Sequence, residues 1–126
     1  MRLLLDTATF IWSVTSPERL SKRAASAVEP EDVIAEVSAI PLSEIALKHS
    51  KKKLMLPKDI VQTGIADFKL RILPYTSAHA YQFLDLPIHH HDPFDRMIIS
   101  QALAEDIPVV TSDSKFRLYR GLQVIW

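Results

Sequence analysis

The sequence predicts a three-layer α/β domain with a mostly parallel central sheet flanked by helices. Three observations carry that expectation. Short apolar runs alternate along the chain with longer segments of helical character. The 126 residues suit a single domain, 1–126, that can bury a core without disulfides. Hydrophobic residues make up 48% and charged residues 24%, the balance of an ordinary soluble globular protein.

The first strand is Leu3-Leu4-Leu5, an apolar run ending at Asp6. A short helix from Phe10 to Val14 follows. Ser16-Pro17 has the form of a helix start, with Ser as N-cap and Pro in the first turn, and that helix is expected to run to about Val28. Val33 to Val37 is the second strand, made less apolar by Glu36. Ser38 caps the next helix, which tolerates Pro41 in its first turn and carries Leu42, Ile45, Ala46 and Lys48. Pro57 opens a helix through Phe68, and Leu70 to Leu73 is the third strand. Thr76 caps a helix that ends before Pro87. Asp92-Pro93 then starts a long helix through Ala104. Val109-Val110 is a strand ending at Thr111-Ser112-Asp113, a short helix follows near Phe116, and Val124 to Trp126 closes the chain.

Composition removes several function classes. The absence of cysteine excludes disulfide frameworks, thiolate zinc sites and cysteine nucleophiles, and it suits a reducing cytoplasm. The only glycines are Gly64 and Gly121, so phosphate-cradling loops of the P-loop or Rossmann kind are excluded. No nucleophile elbow supports a serine hydrolase. The formal net charge of zero argues against broad electrostatic capture of DNA, but is compatible with a local basic patch offset by an acidic site. No apolar run reaches membrane-spanning length and no signal-peptide layout opens the chain, so a cytoplasmic location is expected.

Four acids fall at the carboxyl edge of the expected sheet, where ligands of open α/β sheets bind. Asp6 follows the first strand and Asp113 follows Val109-Val110. Glu44 lies early in the helix after the second strand, and Asp95 in the first turn of the long helix. Converging carboxylates repel: two like charges roughly 4 Å apart cost about 4 kcal/mol at an effective dielectric of about 20. Such a cluster needs protons or a cation, and hard oxygen ligands without Cys suit magnesium, with manganese as a substitute. A cation held this way can activate water for in-line attack on a phosphodiester. Each acid also has an ordinary structural explanation. Asp6 and Asp113 can cap helices, Asp95 can meet a helix dipole, and Glu44 can pair with Lys48 at i, i+4.

Four segments resemble, in order, the signature blocks of VapC-type PIN domains, the ribonuclease toxins of type II toxin–antitoxin systems. They are Leu4-Leu5-Asp6-Thr7, Ser43-Glu44-Ile45-Ala46-Leu47-Lys48, His90-His91-Asp92-Pro93-Phe94-Asp95-Arg96 and Thr111-Ser112-Asp113. The likeness spans nearly the whole chain, including Ile98-Ile99-Ser100-Gln101-Ala102, and the Asp-Pro-Phe-Asp-Arg block is its most specific part. The resemblance implies a PIN-like fold and a Mg2+-dependent endoribonuclease whose catalytic and metal-binding residues are Asp6, Glu44, Asp95 and Asp113. It implies an RNA substrate, a homodimer and a cognate antitoxin protein as partner. The chain departs from the family at Ala8, where His is common, and at Ser43, where Trp is common. It also has Pro41 in place of a frequent Ser and His91 in place of a usual Arg. No departure removes a carboxylate; they bear on substrate choice and helix packing.

Other features have competing readings. His89-His90-His91 invites zinc, but consecutive residues do not readily face one ion, and a loop before the Asp92-capped helix is the better account. His91 remains a candidate for phosphate contact. Lys48, Lys51, Lys52 and Lys53 are either helix-end charge compensation or an RNA-backbone patch. Arg96 can pair with an acid or hold phosphate. Thr111 and Ser112 can join a metal shell or satisfy the strand end. Phe10, Ile11, Trp12 and Val14 read as core or interface, and Trp126 has no assigned role. The alternatives to a nuclease are a catalytically idle PIN-like RNA- or protein-binding module and a receiver-like signalling domain. The complete acid set disfavours the first, and the lone Asp6 after the first strand disfavours the second.

Overall fold

The computed structural model describes all residues, 1–126. Its strands are β1 (Arg2–Leu5), β2 (Ile34–Ser38), β3 (Arg71–Leu73), β4 (Val109–Val110) and β5 (Val124–Ile125). They form one sheet of order β3-β2-β1-β4-β5, and every pairing is parallel. The helices are α1 (Thr7–Thr15), α2 (Lys22–Val28), α3 (Ala39–Ser50), α4 (Lys58–Asp67), α5 (Ser77–Leu84) and α6 (Pro93–Glu105), with 3-10 turns at Pro17–Arg19 and Ser114–Leu118.

Alternation along the strands divides the core in two. Leu4 and Val109 face a cluster built with Ile98, Ile99 and Ala102 of α6 and with Phe116. Leu3, Leu5, Val37 and Val110 face the other side, against Phe10 of α1 and Ile45 of α3. Both faces are therefore covered, which is why the central strands read as continuous apolar runs. Phe10 and Phe116 have no exposed surface, and burying a side chain of that size contributes about 1.5–3 kcal/mol.

The chain lays down β1, β2 and β3 in one direction and then crosses to β4 and β5 on the other side of β1. The order reverses between β1 and β4, so their carboxyl ends flank the crevice characteristic of such a sheet.

Several expected boundaries move. α1 starts at Thr7, three residues before Phe10, because the Asp6 side chain accepts from the Thr9 N–H and caps it. Ser16 makes no side-chain cap, and Pro17 opens only a 3-10 turn. The cap of α2 is Ser21, which accepts from the Ala24 N–H at 3.0 Å. At Thr76 the backbone N–H donates to His79 Nδ1 at 3.0 Å. Glu36 is 1% exposed inside β2 and is held by Arg2 at 2.7 Å and Arg71 at 3.3 Å. Arg2 and His79 also meet Glu105, each at 3.1 Å, which ties β1 and α5 to the end of α6.

Candidate active site

The acids at positions 6, 44, 95 and 113 all line one cleft of about 480 Å³ at the carboxyl edge of the sheet. Asp6 and Asp113 arrive from β1 and β4, Glu44 from α3 and Asp95 from the first turn of α6. Asp92, Ser112 and Lys48 also line it, and Ile11 and Trp12 of α1 supply an apolar wall. A larger cavity of about 840 Å³, whose lining includes apolar groups of α2 and β2 with Thr9 and Ser13 of α1, contains none of the four acids.

Asp6 is fixed most firmly. Its Oδ1 accepts from the Thr9 N–H at 2.9 Å and its Oδ2 from the Thr111 hydroxyl at 2.6 Å. Burial pushes its carboxyl up, the hydrogen bonds from Thr111 and Thr9 oppose this, and the charge of Asp113 adds to the rise. Glu44 accepts from the Thr7 hydroxyl at 2.8 Å and meets Lys48 Nζ at 2.9 Å, so the i, i+4 pair forms as spacing suggested. Asp113 accepts from the Lys115 N–H at 2.9 Å and caps the last 3-10 turn. Asp95 is pushed up to about 7, first by burial and then by the charges of Asp92, Asp6, Glu44 and Asp113. That carboxyl therefore senses each of the other three.

The donor chemistry fits a hard divalent cation: oxygen ligands and mutual repulsion that a cation would relieve. The side chains are not, however, gathered into a finished shell. No three His, Asp or Glu groups stand close enough to hold one ion as placed. Glu44 is instead bonded to Thr7 and Lys48, and Asp113 to Lys115. To hold one cation together, these carboxylates would have to turn inward.

Arg96 is neither an acid partner nor a free phosphate ligand. It is 9% exposed and donates to Pro87 O at 2.8 Å, Tyr119 Oη at 3.2 Å and Leu86 O at 3.4 Å. One residue along a helix turns the side chain by about 100°, so Asp95 and Arg96 face different surroundings. Thr111 bonds to Asp6 directly. Lys51, Lys52 and Lys53 are exposed beyond α3, where the Lys52 and Lys53 N–H groups close the helix end on His49 O and Lys48 O. Of the three histidines, only His90 is buried (8% exposed), with Nε2 3.7 Å from Asp95 Oδ2. Burial lowers its pKa against the opposing charges of Asp113 and Asp92. Trp12 is half-buried in the cleft wall rather than fully in the core, and it contacts Trp126 at 5.8 Å between ring centroids. The role of His90 and the Trp12–Trp126 pair were missed from sequence; Trp12 at two residues from Phe10 was the available signal, since Phe10 and Trp12 lie about 200° apart on a helix.

A parallel α/β sheet with carboxylates gathered at its switch point defines a class of acid-lined cleft domains. The PIN-domain family description matches residues 3–122, and the chain belongs to that family. It is similar to Ribonuclease VapC22 of Mycobacterium tuberculosis, with 30% identity over 94% of this chain and 92% of the relative. Among solved structures it is similar to VapBC2 from Rickettsia felis bound to a promoter DNA fragment, with TM-score 0.76, 21% identity and coverage of 98% and 97%. A DNA-bound VapBC from Salmonella typhimurium has TM-score 0.70, 18% identity and coverage of 98% and 96%. These two likenesses establish the fold.

Proposed function

We propose that this chain is a magnesium-dependent endoribonuclease, the toxin of a toxin–antitoxin pair, with Asp6, Glu44, Asp95 and Asp113 as its catalytic and metal-binding residues. One observation carries the reading: carboxylates from four separate elements line one cleft, where burial and then the charges of Asp92, Asp6, Glu44 and Asp113 push Asp95 up to about 7. The likeness to a ribonuclease at 30% identity across nearly the whole chain supports the RNA substrate.

Bound magnesium, or manganese in its place, would activate water and neutralise charge on the scissile phosphate. The chain's own residues do the rest. Thr111 and Thr9 hold Asp6 in one orientation. Lys48, the cation lining the cleft, can exchange Glu44 for a phosphate oxygen and so free that carboxylate. Ile11 and Trp12 limit water on one side.

Purified protein is expected to cleave single-stranded or structured RNA with Mg2+ and to stop in EDTA. Asp6→Asn should lower cleavage by several orders of magnitude, because it removes a ligand charge at constant shape. Undiminished cleavage by Asp6→Asn would remove the assignment. The open carboxylate arrangement favours one rival, an idle PIN-like binding module. That rival predicts RNA binding without cleavage and no response to EDTA.

The relatives solved as VapBC complexes support a cognate antitoxin as partner. In this reading an Arg or Lys of the antitoxin enters the acidic cleft and competes with the metal. A homodimer and a cytoplasmic site of action complete the proposal. No helix is long and apolar enough to cross a membrane.

A further inference from the structure

A chain of polar groups runs from Arg96 of α6 through Tyr119 to His90, in the loop before α6, and ends facing Asp95 at the cleft. Arg96 Nη1 donates to Tyr119 Oη at 3.2 Å, and a guanidinium has no acceptor capacity, so the tyrosine oxygen accepts there. Tyr119 is 2% exposed, leaving its hydroxyl proton no water to meet. Its other partner is His90 Nδ1 at 2.7 Å. The hydroxyl therefore donates to Nδ1, and the ring carries its proton on Nε2. The reverse assignment would leave a buried tyrosine proton without an acceptor, which is costly.

His90 Nε2 is itself buried and has no hydrogen-bond partner. The acid facing it is Asp95, whose Oδ2 lies 3.7 Å away, beyond hydrogen-bond distance but within reach of a small carboxylate rotation. Because Nε2 is closed to solvent, it is closed to substrate as well. Whatever it does at the cleft must pass through Asp95.

We propose that His90 is a positioning residue for Asp95. The chain Arg96–Tyr119–His90 presents an Nε2–H that engages one carboxylate oxygen and turns the other toward the cleft. This rests on reading Asp95 as a metal ligand. The arrangement follows a general pattern in which an outer donor fixes the orientation of a ligand carboxylate. It also gives Arg96 a purpose: the guanidinium is anchored on Leu86 O and Pro87 O, so it holds the histidine loop against α6 while setting the direction of the donor chain.

The test begins on metal-free protein. Nitrogen-15 NMR of the histidine rings should show His90 as the Nε2–H tautomer, and Tyr119→Phe should convert it to a mixture. A wild-type Nδ1–H tautomer overturns the proposal. Mn2+ binding by calorimetry then compares His90→Gln, which can return an amide N–H near the Nε2 position, with His90→Phe, which fills the volume without a donor. Gln should bind within about threefold of wild type and Phe about 10–100-fold more weakly, the range for loss of an outer-shell partner. Phe binding as well as or better than Gln shows that His90 only packs, and overturns the proposal. Tyr119→Phe, which keeps the ring, should weaken Mn2+ binding in the same direction if His90 variants melt too low to measure; unchanged binding counts against the proposal. Wild type that binds no Mn2+ defeats the metal reading of the cleft, while the tautomer still decides whether the donor chain exists.

Discussion

Asp95→Asn should stabilise the metal-free protein at alkaline pH while abolishing activity. Raising the carboxyl from 3.8 to about 7 corresponds to about 4 kcal/mol in favour of its neutral form. The side chain keeps 21% of its surface exposed, and screening by that solvent reduces the usable figure to about 2 kcal/mol. The folded pKa lies above the unfolded one. Stability owed to the proton is thus fully present below about 3.8 and is lost as pH rises through about 7. At pH of about 8 the wild type holds an ionised Asp95 among Asp92, Asp6, Glu44 and Asp113, whereas Asn is neutral. Asn forgoes a dipole interaction at the start of α6 of about 0.3–1 kcal/mol. The net gain of about 1–2 kcal/mol is roughly 3–10 °C in Tm for a chain of this size. At pH of about 4 the gain should vanish. Thermal melts in EDTA at both pH values measure this, and Mg2+ should raise the Tm of wild type more than that of the variant. A variant that melts lower than wild type by the same amount at both pH values refutes the argument, because the carboxylate would then be structural.

Two further outcomes are expected. Gly64→Ala should destabilise the protein despite the better helix propensity of Ala: an added Cβ would stand 2.5 Å from Val14 Cγ2, and a β-branched side chain has little freedom to yield. Overpacking of about 1–3 kcal/mol outweighs a propensity gain of about 1 kcal/mol, and Val14→Ala in the same chain should reverse the sign in denaturant melts. If the proposed antitoxin exists, co-expression with the product of the adjacent reading frame should yield a stable complex without ribonuclease activity, and a complex as active as the free chain contradicts blocking of the cleft.

Elements and acids were legible in the sequence because each depends on local chemistry. Leu3-Leu4-Leu5 is a short apolar run that ends at an acid, as a buried strand does, and Asp92-Pro93 is a complete helix start: Asp92 accepts from the N–H groups of Phe94 and Asp95. What remained hidden depends on partners distant in the chain. Glu36 looked like a weakness in β2, yet it is neutralised by Arg2 and Arg71, about 35 residues away on neighbouring strands. Arg96 looked available because it adjoins Asp95, but its acceptors are carbonyls of the Leu86–Pro87 turn and a tyrosine 23 residues on. Ser16-Pro17 has the same composition as a true start, but the Ser16 side chain finds no N–H, whereas Ser21, in a different backbone conformation, caps α2.

The structural and functional explanations of the acids turn out to share atoms. Asp6 Oδ1 caps α1 through Thr9, while Oδ2 binds Thr111 beside the cleft. Asp113 Oδ1 caps the turn at Ser114–Leu118 and the residue still lines the cleft. A carboxylate has about four lone-pair positions, so one oxygen can satisfy a helix end while the rest of the group stays available. Capping also has a functional consequence, because the bonds that fix Asp6 and Asp113 set how far each carboxylate can turn toward the cleft. Asp95 differs: Asp92 caps its N–H and that of Phe94, and no donor of the fold lies within hydrogen-bond distance of its own carboxylate, His90 Nε2 standing 3.7 Å away. Burial first, and then the charges of Asp92, Asp6, Glu44 and Asp113, push its carboxyl up to about 7.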